Sequence, residues 1–482
     1  MKVSVNAQKV LGPYCDPTRW QNSTLRYVPP VDFPAFLERR MGKAELMRVW
    51  ITLDEYWDYR TGITYPDYEI GKLRYPVEEL HYAYDRANTV PAPSGTRFVD
   101  YITSHSQHAE ELLLNVRRME REVSDGVITY DQYEELFYRA VEHCKNLAPN
   151  IRYVECCNEV DIKPFGQLTG KEYVAIYLRA HRAIQKLNET YNYPIPLIMG
   201  GIAEAHPLRS WGLMEEIAAL LKESEIGEDP FGFYSYHMYN APEDRSLIMG
   251  GMPEKTGHTY LEKLHQVMDA HEGMLARLGL PKRPVFLDEM GRARATGVDG
   301  DSQYNAAGVL TYLIAWCNGE LGEMKPFPWC TFHNPNMQIS YTWYILQPDG
   351  TYAATPNGLA MEILHSLKGE RMEAAVEAVG QKDAHTYAMA VGAGEELAVL
   401  AVNPTCDSVP CITEVFGLDE GKYRLEFYRV NSVDNNVVNK CGKGTGVLMM
   451  TEEKELETAD GALRFTEILD KDSYVFVKIH AI

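Results

Sequence analysis

Long apolar runs are missing from this chain. Nothing in its 482 residues approaches the roughly 18 consecutive apolar residues that a membrane-spanning helix needs. A transmembrane or membrane-bound role is therefore not expected. Positive charge is scarce: 47 Lys and Arg stand against 68 Asp and Glu, a formal net charge of −21. That balance argues against nucleic acid as a partner, which requires a basic surface. The nine cysteines form no Cys-x-x-Cys pair, and their number is odd. The opening "MKVSVNAQKV" has a lysine but no apolar core of a signal peptide. Together these point to reduced thiols in a cytoplasm, with secretion left open if a leader has been removed. A Gly-x-Ser-x-Gly elbow and a dinucleotide fingerprint are also absent. "GKGTG" near residue 444 lacks the Lys-Ser/Thr of a phosphate-binding loop and reads as a hairpin turn. There is no repeat, low-complexity tract or flexible linker, so the domains are expected to pack tightly.

What is present is alternation. The composition, 45% hydrophobic and 24% charged, is that of an ordinary soluble globular protein. From the start to about residue 370, apolar strands alternate with helical patterns. "KVSVNAQKV" reads as the first strand, "MRVWITLDE" as the second and "TRFVDYITSH" (96–105), more weakly, as the third. "IRYVECCNE", "PLIMGGIAEA", "FGFYSYHMYN", "RPVFLDEMG" and "PFPWCTFHN" follow as the fourth to eighth. Between them lie amphipathic runs such as "GKEYVAIYLRAHRAIQKLNETY", with Val174, Tyr177, Leu178, His181 and Ile184 at helical spacing. Eight strands with intervening helices predict an α/β fold, a (β/α)8 TIM barrel over residues 1–370. Beyond it, "TYAMAVGAGEELAVLAVNPT", "KYRLEFYRV", "ALRFTEIL" and "SYVFVKIHAI" alternate apolar and polar residues without a long helix. They predict an antiparallel β-sandwich over residues 371–482.

Two strands end in a way that packing does not explain. "IRYVECCNEVD" drives from apolar residues into Asn158-Glu159, and "VFLDEMG" into Glu289. Glutamate is rarely buried without a partner. In a (β/α)8 barrel, reactive groups sit just beyond the C-terminal strand ends. Glu159 at strand four and Glu289 at strand seven would then face each other across one mouth. Paired carboxylates in such a cleft serve glycoside hydrolysis, one protonated and one ionised. Either glutamate alone could instead pair with an arginine at the rim; both together at these strands favour chemistry.

At these residues the chain resembles the clan A glycoside hydrolases. "CNEVD" resembles their strand-four Asn-Glu motif, and "LDEMG" their strand-seven nucleophile. The nearest likeness is to glycoside hydrolase family 39, with its β-xylosidases and α-iduronidases. "YSYHMYN" resembles that family's strand-six His-x-Tyr stretch. "ATPNGLAMEILHSLKGE" resembles its passage from barrel to sandwich, and "FYRVNSVDNN" a stretch of its sandwich. Two places depart from the pattern: Cys157 and Val160 flank Asn158-Glu159 where Trp and Pro are usual, and Asp288-Glu289-Met290 replaces Thr-Glu-Tyr or Thr-Glu-Trp. The resemblance implies a retaining glycosidase with Glu159 as general acid/base and Glu289 as nucleophile. Xylosides lead as substrate, then galactosides, and no cofactor is implied.

Further residues receive roles with a structural alternative beside each. Asn158 would bind the sugar 2-hydroxyl, or merely form a turn. His237 and Tyr239 alternate on strand six and point the same way; Tyr239 would orient the nucleophile, or serve the core. Arg48 would keep Glu289 ionised, or form a rim ion pair. Trp329 would floor a sugar subsite, or fill the core, and His333 follows it at the strand end. Trp57 and Trp343 lie in aromatic stretches after strands two and eight, where exposed rings contact carbohydrate; packing is the alternative. His105 and His108 in "HSQH" have no third ligand at metal-site spacing, so no metal is expected. The expected partner is an oligosaccharide or glycoside, with a homo-oligomer left open. Rival readings are another clan A activity (an α-L-arabinofuranosidase, a uronidase or an endo-glycanase) and an inactive carbohydrate-binding protein.

Overall fold

The computed structural model describes residues 1–23, 29–58, 63–64, 98–205, 207–240, 260–292, 302–332 and 341–482. Within them the chain has a mixed α/β fold. Five parallel strands lie side by side in chain order: Trp20–Asn22, Ala44–Thr52, Ala109–Arg117, Ile151–Cys156 and Ile198–Gly200. Three more, Tyr234–Asn240, Val285–Arg292 and Lys325–Pro328, form a second parallel sheet. They are numbered one to eight below. Backbone hydrogen bonds join the two sheets on both sides. His237 N–H donates to the Glu204 carbonyl, and Thr331 N–H to that of Asn22, each at 2.9 Å.

Parallel neighbours need long crossovers, usually helical. Tyr130–Leu147 and Gly170–Tyr191 follow strands three and four, and both open with a capping box, Thr129 with Gln132 and Thr169 with Glu172. Each box satisfies two backbone N–H groups that the first helical turn leaves over. The inward stripe of Gly170–Tyr191 runs through Tyr173, Ile176, Tyr177, Ala180, Ala183, Ile184 and Leu187. It shares Tyr177 and Ile184 with the expected face, but Val174 and Leu178 lie to its side, only partly buried.

Two expected strands need correction. "KVSVNAQKV" is a strand, Lys2–Pro13, but it pairs antiparallel with Glu370–Glu377 and parallel with Val409–Phe416 in the C-terminal sheet. Its alternation, with Val3 and Val5 buried and polar residues between, suits a sheet with unlike faces rather than a strand covered on both sides. The first parallel strand is instead the short Trp20–Asn22. "TRFVDYITSH" is largely the helix Phe98–Gln107. Tyr101, Ile102 and His105 are buried at helical spacing, and the third strand follows as Ala109–Arg117.

The C-terminal sheet has nine strands, ordered Glu452–Glu457, Lys422–Val430, Ser473–Ala481, Glu396–Asn403, Ala388–Ala393, Glu370–Glu377, Lys2–Pro13, Val409–Phe416 and Ala462–Leu469. The strand Glu396–Asn403 is buried on both faces. Leu397, Val399 and Ala401 join a core belonging to this sheet, while Ala398, Leu400 and Val402 join the main core with the helices. Period-two geometry divides one apolar run between two cores. No described helix is long and apolar enough to cross a membrane.

Candidate active site

Side chains of strand four, the turn after it and strand seven converge on one guanidinium from the middle of strand two. Arg48 is completely buried. Its Nη1 donates to Glu289 Oε1 at 2.8 Å, and its Nη2 to Glu155 Oε2 at 2.6 Å and Asn158 Oδ1 at 3.0 Å. Nε lies 3.2 Å from Asp288 Oδ2. The guanidinium carbon sits 4.1 Å from the ring centre of Trp50, a stacking that suits a planar cation. A buried charge must be matched; here the matching is in excess, with three carboxylates around one cation.

Burial pushes the Asp288 carboxyl well above its ordinary range, and the Glu155 charge adds to this against the attraction of Arg48. Burial acts upward on Glu155 too, but the charge of Arg48 and hydrogen bonds from Ser235 and Asn115 carry it below its ordinary value. Burial acts downward on Arg48 itself, but the charges of Asp288, Glu155 and Glu289 raise its pKa. A Cβ on Gly201, where φ is +74°, would stand 2.8 Å from Glu155 Oε1 and 2.6 Å from Ser235 Oγ. Only glycine lets the backbone pass there.

Glu159 and Glu289 meet in front of this group. Each of Glu159, His237 and Glu289 presents an atom within 4.8 Å of the others. Glu289 also accepts a hydrogen bond from Tyr239 Oη at 2.9 Å. Glu159 contacts His237 Nδ1 at 2.8 Å. His237 Nε2 lies 3.6 Å from both Glu289 Oε1 and Asp288 Oδ1. Burial pushes His237 down to about 4, with the Glu289 charge opposing, so the ring is neutral at ordinary pH. Glu159 adopts φ 48°, and Cys157 φ 68°. Non-glycine residues in the left-handed region cost about 1–3 kcal/mol and cluster at functional sites. The two turns swing Glu159 off the line of strand four, and its N–H donates to the Ala203 carbonyl at 2.8 Å. Glu159, His237 and Glu289 are ligand types for a divalent cation, but Arg48 on Glu289 opposes one by charge.

The structure brings Arg48, Asn158, Glu159, His237, Tyr239 and Glu289 together. Trp329 lies beside them, 5% exposed, edge-on to Trp50 at 5.7 Å in a cluster against which Tyr239 packs. Trp343 is corrected: it is 1% exposed and belongs to the main core, because the chain from Thr342 to Thr355 folds back under helix Pro356–Ser366 through bonds such as Thr355 N–H to the Trp343 carbonyl at 2.9 Å. Trp57 is half-buried and lines a cleft with Leu136, Arg139 and His143 of helix Tyr130–Leu147, a lining that includes none of the carboxylate cluster. His333 lies outside the described residues. His105 Nε2 bonds Ser23 at 3.0 Å and His108 Nδ1 bonds Glu38 at 2.5 Å, so the two rings serve separate local contacts. Sequence reasoning missed Asn115, Glu155, Ser235 and Asp288. A carboxylate inside an apolar strand, as in "YVECC" and "VFLDE", was the available signal for two of them.

No protein-family model and no curated protein matches the chain. Solved structures do. A monomeric β-xylosidase from Caulobacter crescentus CB15 aligns with a TM-score of 0.63 at 14% identity, over 100% of this chain and 99% of that one. A GH39 enzyme from Xanthomonas axonopodis pv. citri gives 0.61 at 15%, over 100% and 97%. A bacterial orthologue of human α-L-iduronidase gives 0.58 at 13%, over 100% and 84%. The fold thus resembles that of glycoside hydrolase family 39 along its whole length.

Proposed function

We propose that the chain is a retaining glycoside hydrolase, built as a (β/α)8 barrel braced by a C-terminal β-sandwich to which Lys2–Pro13 also belongs. The observation that carries this reading is the pair Glu159 and Glu289, with oxygens inside 4.8 Å and unlike neighbours. Retaining enzymes hold their carboxyl groups about 5–5.5 Å apart, and an approach of single oxygens inside 4.8 Å is compatible with that spacing.

In the first step the ionised Glu289 attacks the anomeric carbon. The bond to the leaving oxygen breaks, and that oxygen takes the proton of Glu159. In the second step a water attacks the anomeric carbon, gives a proton to Glu159, and releases Glu289 from its sugar ester. Arg48 and Tyr239 donate hydrogen bonds to Glu289 and orient it for attack. A neutral His237 suits both states of Glu159: its Nδ1 accepts from the acid or, in the other tautomer, donates to the carboxylate. Asn158, oriented by Arg48, binds the sugar 2-hydroxyl. No cofactor enters the reaction. A β-xyloside is the leading substrate, in line with the named activity of the Caulobacter structure, then a galactoside.

An activity screen across aryl xylosides, galactosides, arabinofuranosides and uronides, with Glu159→Gln as control, tests the reading. Turnover by the wild type, lost in the control on substrates with poor leaving groups, is expected. Binding of oligosaccharide without turnover of any glycoside would make the chain a carbohydrate-binding protein instead.

A further inference from the structure

Arg292 ends strand seven, three residues beyond Glu289, and its side chain runs into the C-terminal sheet. The guanidinium is completely buried. Its Nη1 donates to Asp472 Oδ1 at 3.0 Å and to the Tyr304 carbonyl at 2.7 Å. Its Nη2 donates to the Pro404 carbonyl at 2.6 Å. The group lies 4.2 Å from the centre of the Tyr304 ring, and a Cβ on Gly308 would come within 2.3 Å of Arg292 Cδ. Pro404 follows the strand Glu396–Asn403. Asp472 sits in the turn before Ser473–Ala481, its N–H bonded to the Thr405 carbonyl at 2.9 Å. Two segments of one sheet therefore grip the end of a strand in the other unit.

The backbone of Arg292 leads back to the carboxylates. Its carbonyl accepts from Tyr341 Oη at 3.0 Å. The Tyr341 ring packs on Tyr239 with centroids 5.6 Å apart, and Tyr239 donates to Glu289. Gly291 keeps the strand close under Tyr239; a Cβ there would be 3.1 Å from its ring. Arg292 N–H, in turn, donates to Asn305 Oδ1 at 2.8 Å.

From this continuous path we infer that Asp472 is a positioning residue for the reaction at Glu289, so that the C-terminal sheet is a working part of the site. The inference rests on the reading of Glu289 as nucleophile. Removing the aspartate takes a carboxylate away from a buried guanidinium, which must then draw in water or move. The strand end, Tyr341 and Tyr239 then shift with it, and a misplacement of about 1 Å can cost about a hundredfold in rate.

The test uses full-length Asp472→Asn and Arg292→Lys. Tyr474→Phe is the control; it deletes an interface bond to the Pro356 carbonyl at 2.6 Å that does not touch Arg292. Steady-state kinetics on an aryl glycoside are followed across pH, below each variant's unfolding temperature. Both test variants are expected to lose about ten- to a hundredfold in kcat, with KM changed by less than about twofold. The acid limb of the pH profile should move as well. Tyr474→Phe should keep kcat and that limb even where its Tm falls. Wild-type kcat and profile in both test variants would overturn the inference, and so would an equal loss of kcat in Tyr474→Phe. A wild type that turns over no glycoside would refute the glycosidase reading itself and the inference with it.

Discussion

Glu159 and Glu289 are the same side chain held in two ways. At the end of strand four, Glu159 stands on a left-handed backbone turn, leans on a neutral imidazole and keeps its side chain 13% exposed. At the end of strand seven, Glu289 lies just past a shift in strand register, between a guanidinium and a phenol. The first setting offers a buried imidazole, the second two hydrogen-bond donors. Under the proposed mechanism, environment and not residue type would separate an acid from a nucleophile. The difference traces to what each side chain meets: Glu159 contacts His237, whereas Glu289 contacts Arg48 and Tyr239.

The comparison breaks most severely at Glu289. Glu289→Ala is expected to lose about 10⁴–10⁶-fold in kcat, on good and poor leaving groups alike, measured with a matched pair of aryl and alkyl glycosides. Glu159→Ala should lose about 10²–10⁴-fold on poor leaving groups, while sparing the first step with activated aryl glycosides. Azide should restore part of its rate and give a glycosyl azide of retained configuration. Equal losses on both substrates, without azide rescue, would erase the distinction between the two residues.

A finer probe is Tyr239→Phe. A hydrogen bond to a charged group contributes about 1.5–3 kcal/mol, so kcat should fall about ten- to a hundredfold. Glu289 loses a donor to its ionised form, and the acid limb of the pH–rate profile should move to higher pH. An unmoved limb would show that Arg48 alone sets the charge.

The smallest effect concerns stability. Burial pushes His105, His237 and His271 each down to about 4 from 6.5. Their folded pKa values lie below the unfolded ones, so the stability they contribute is full above 6.5 and is lost as pH falls toward about 4. Tm should decline across that window. His271→Gln, at a ring that bonds Tyr236 at 2.8 Å outside the carboxylate cluster, should flatten part of the decline without moving the pH–rate profile.

The strand ends were legible in the sequence because chemistry interrupts hydrophobicity there. Asn158-Glu159 and Glu289 stand where an apolar strand has no packing reason to become acidic. Strands one and three were not legible. Trp20–Asn22 is three residues long, and its buried Gln21 and Asn22 are polar. Asn22 is held by bonds to the carbonyls of Asp288 and Phe327, distant in sequence. In "TRFVDYITSH", β-branched and aromatic residues favour a strand locally, but tertiary packing buries one helical face. Lys2–Pro13 was recognised as a strand and assigned to the wrong sheet, since alternation fixes a strand's faces and not its partners. Trp343 read as a loop ring because aromatic content does not distinguish core from cleft.

The central claim is that Glu289 forms a covalent bond to sugar while Glu159 does not. The direct measurement is inactivation by a fluorosugar with an activated leaving group and the matching glycone, followed by mass mapping of the labelled peptide. The account expects one sugar per chain, on Glu289, with the label lost in Glu289→Gln. A label on Glu159, or steady turnover without any covalent adduct and with product of inverted configuration, would contradict it.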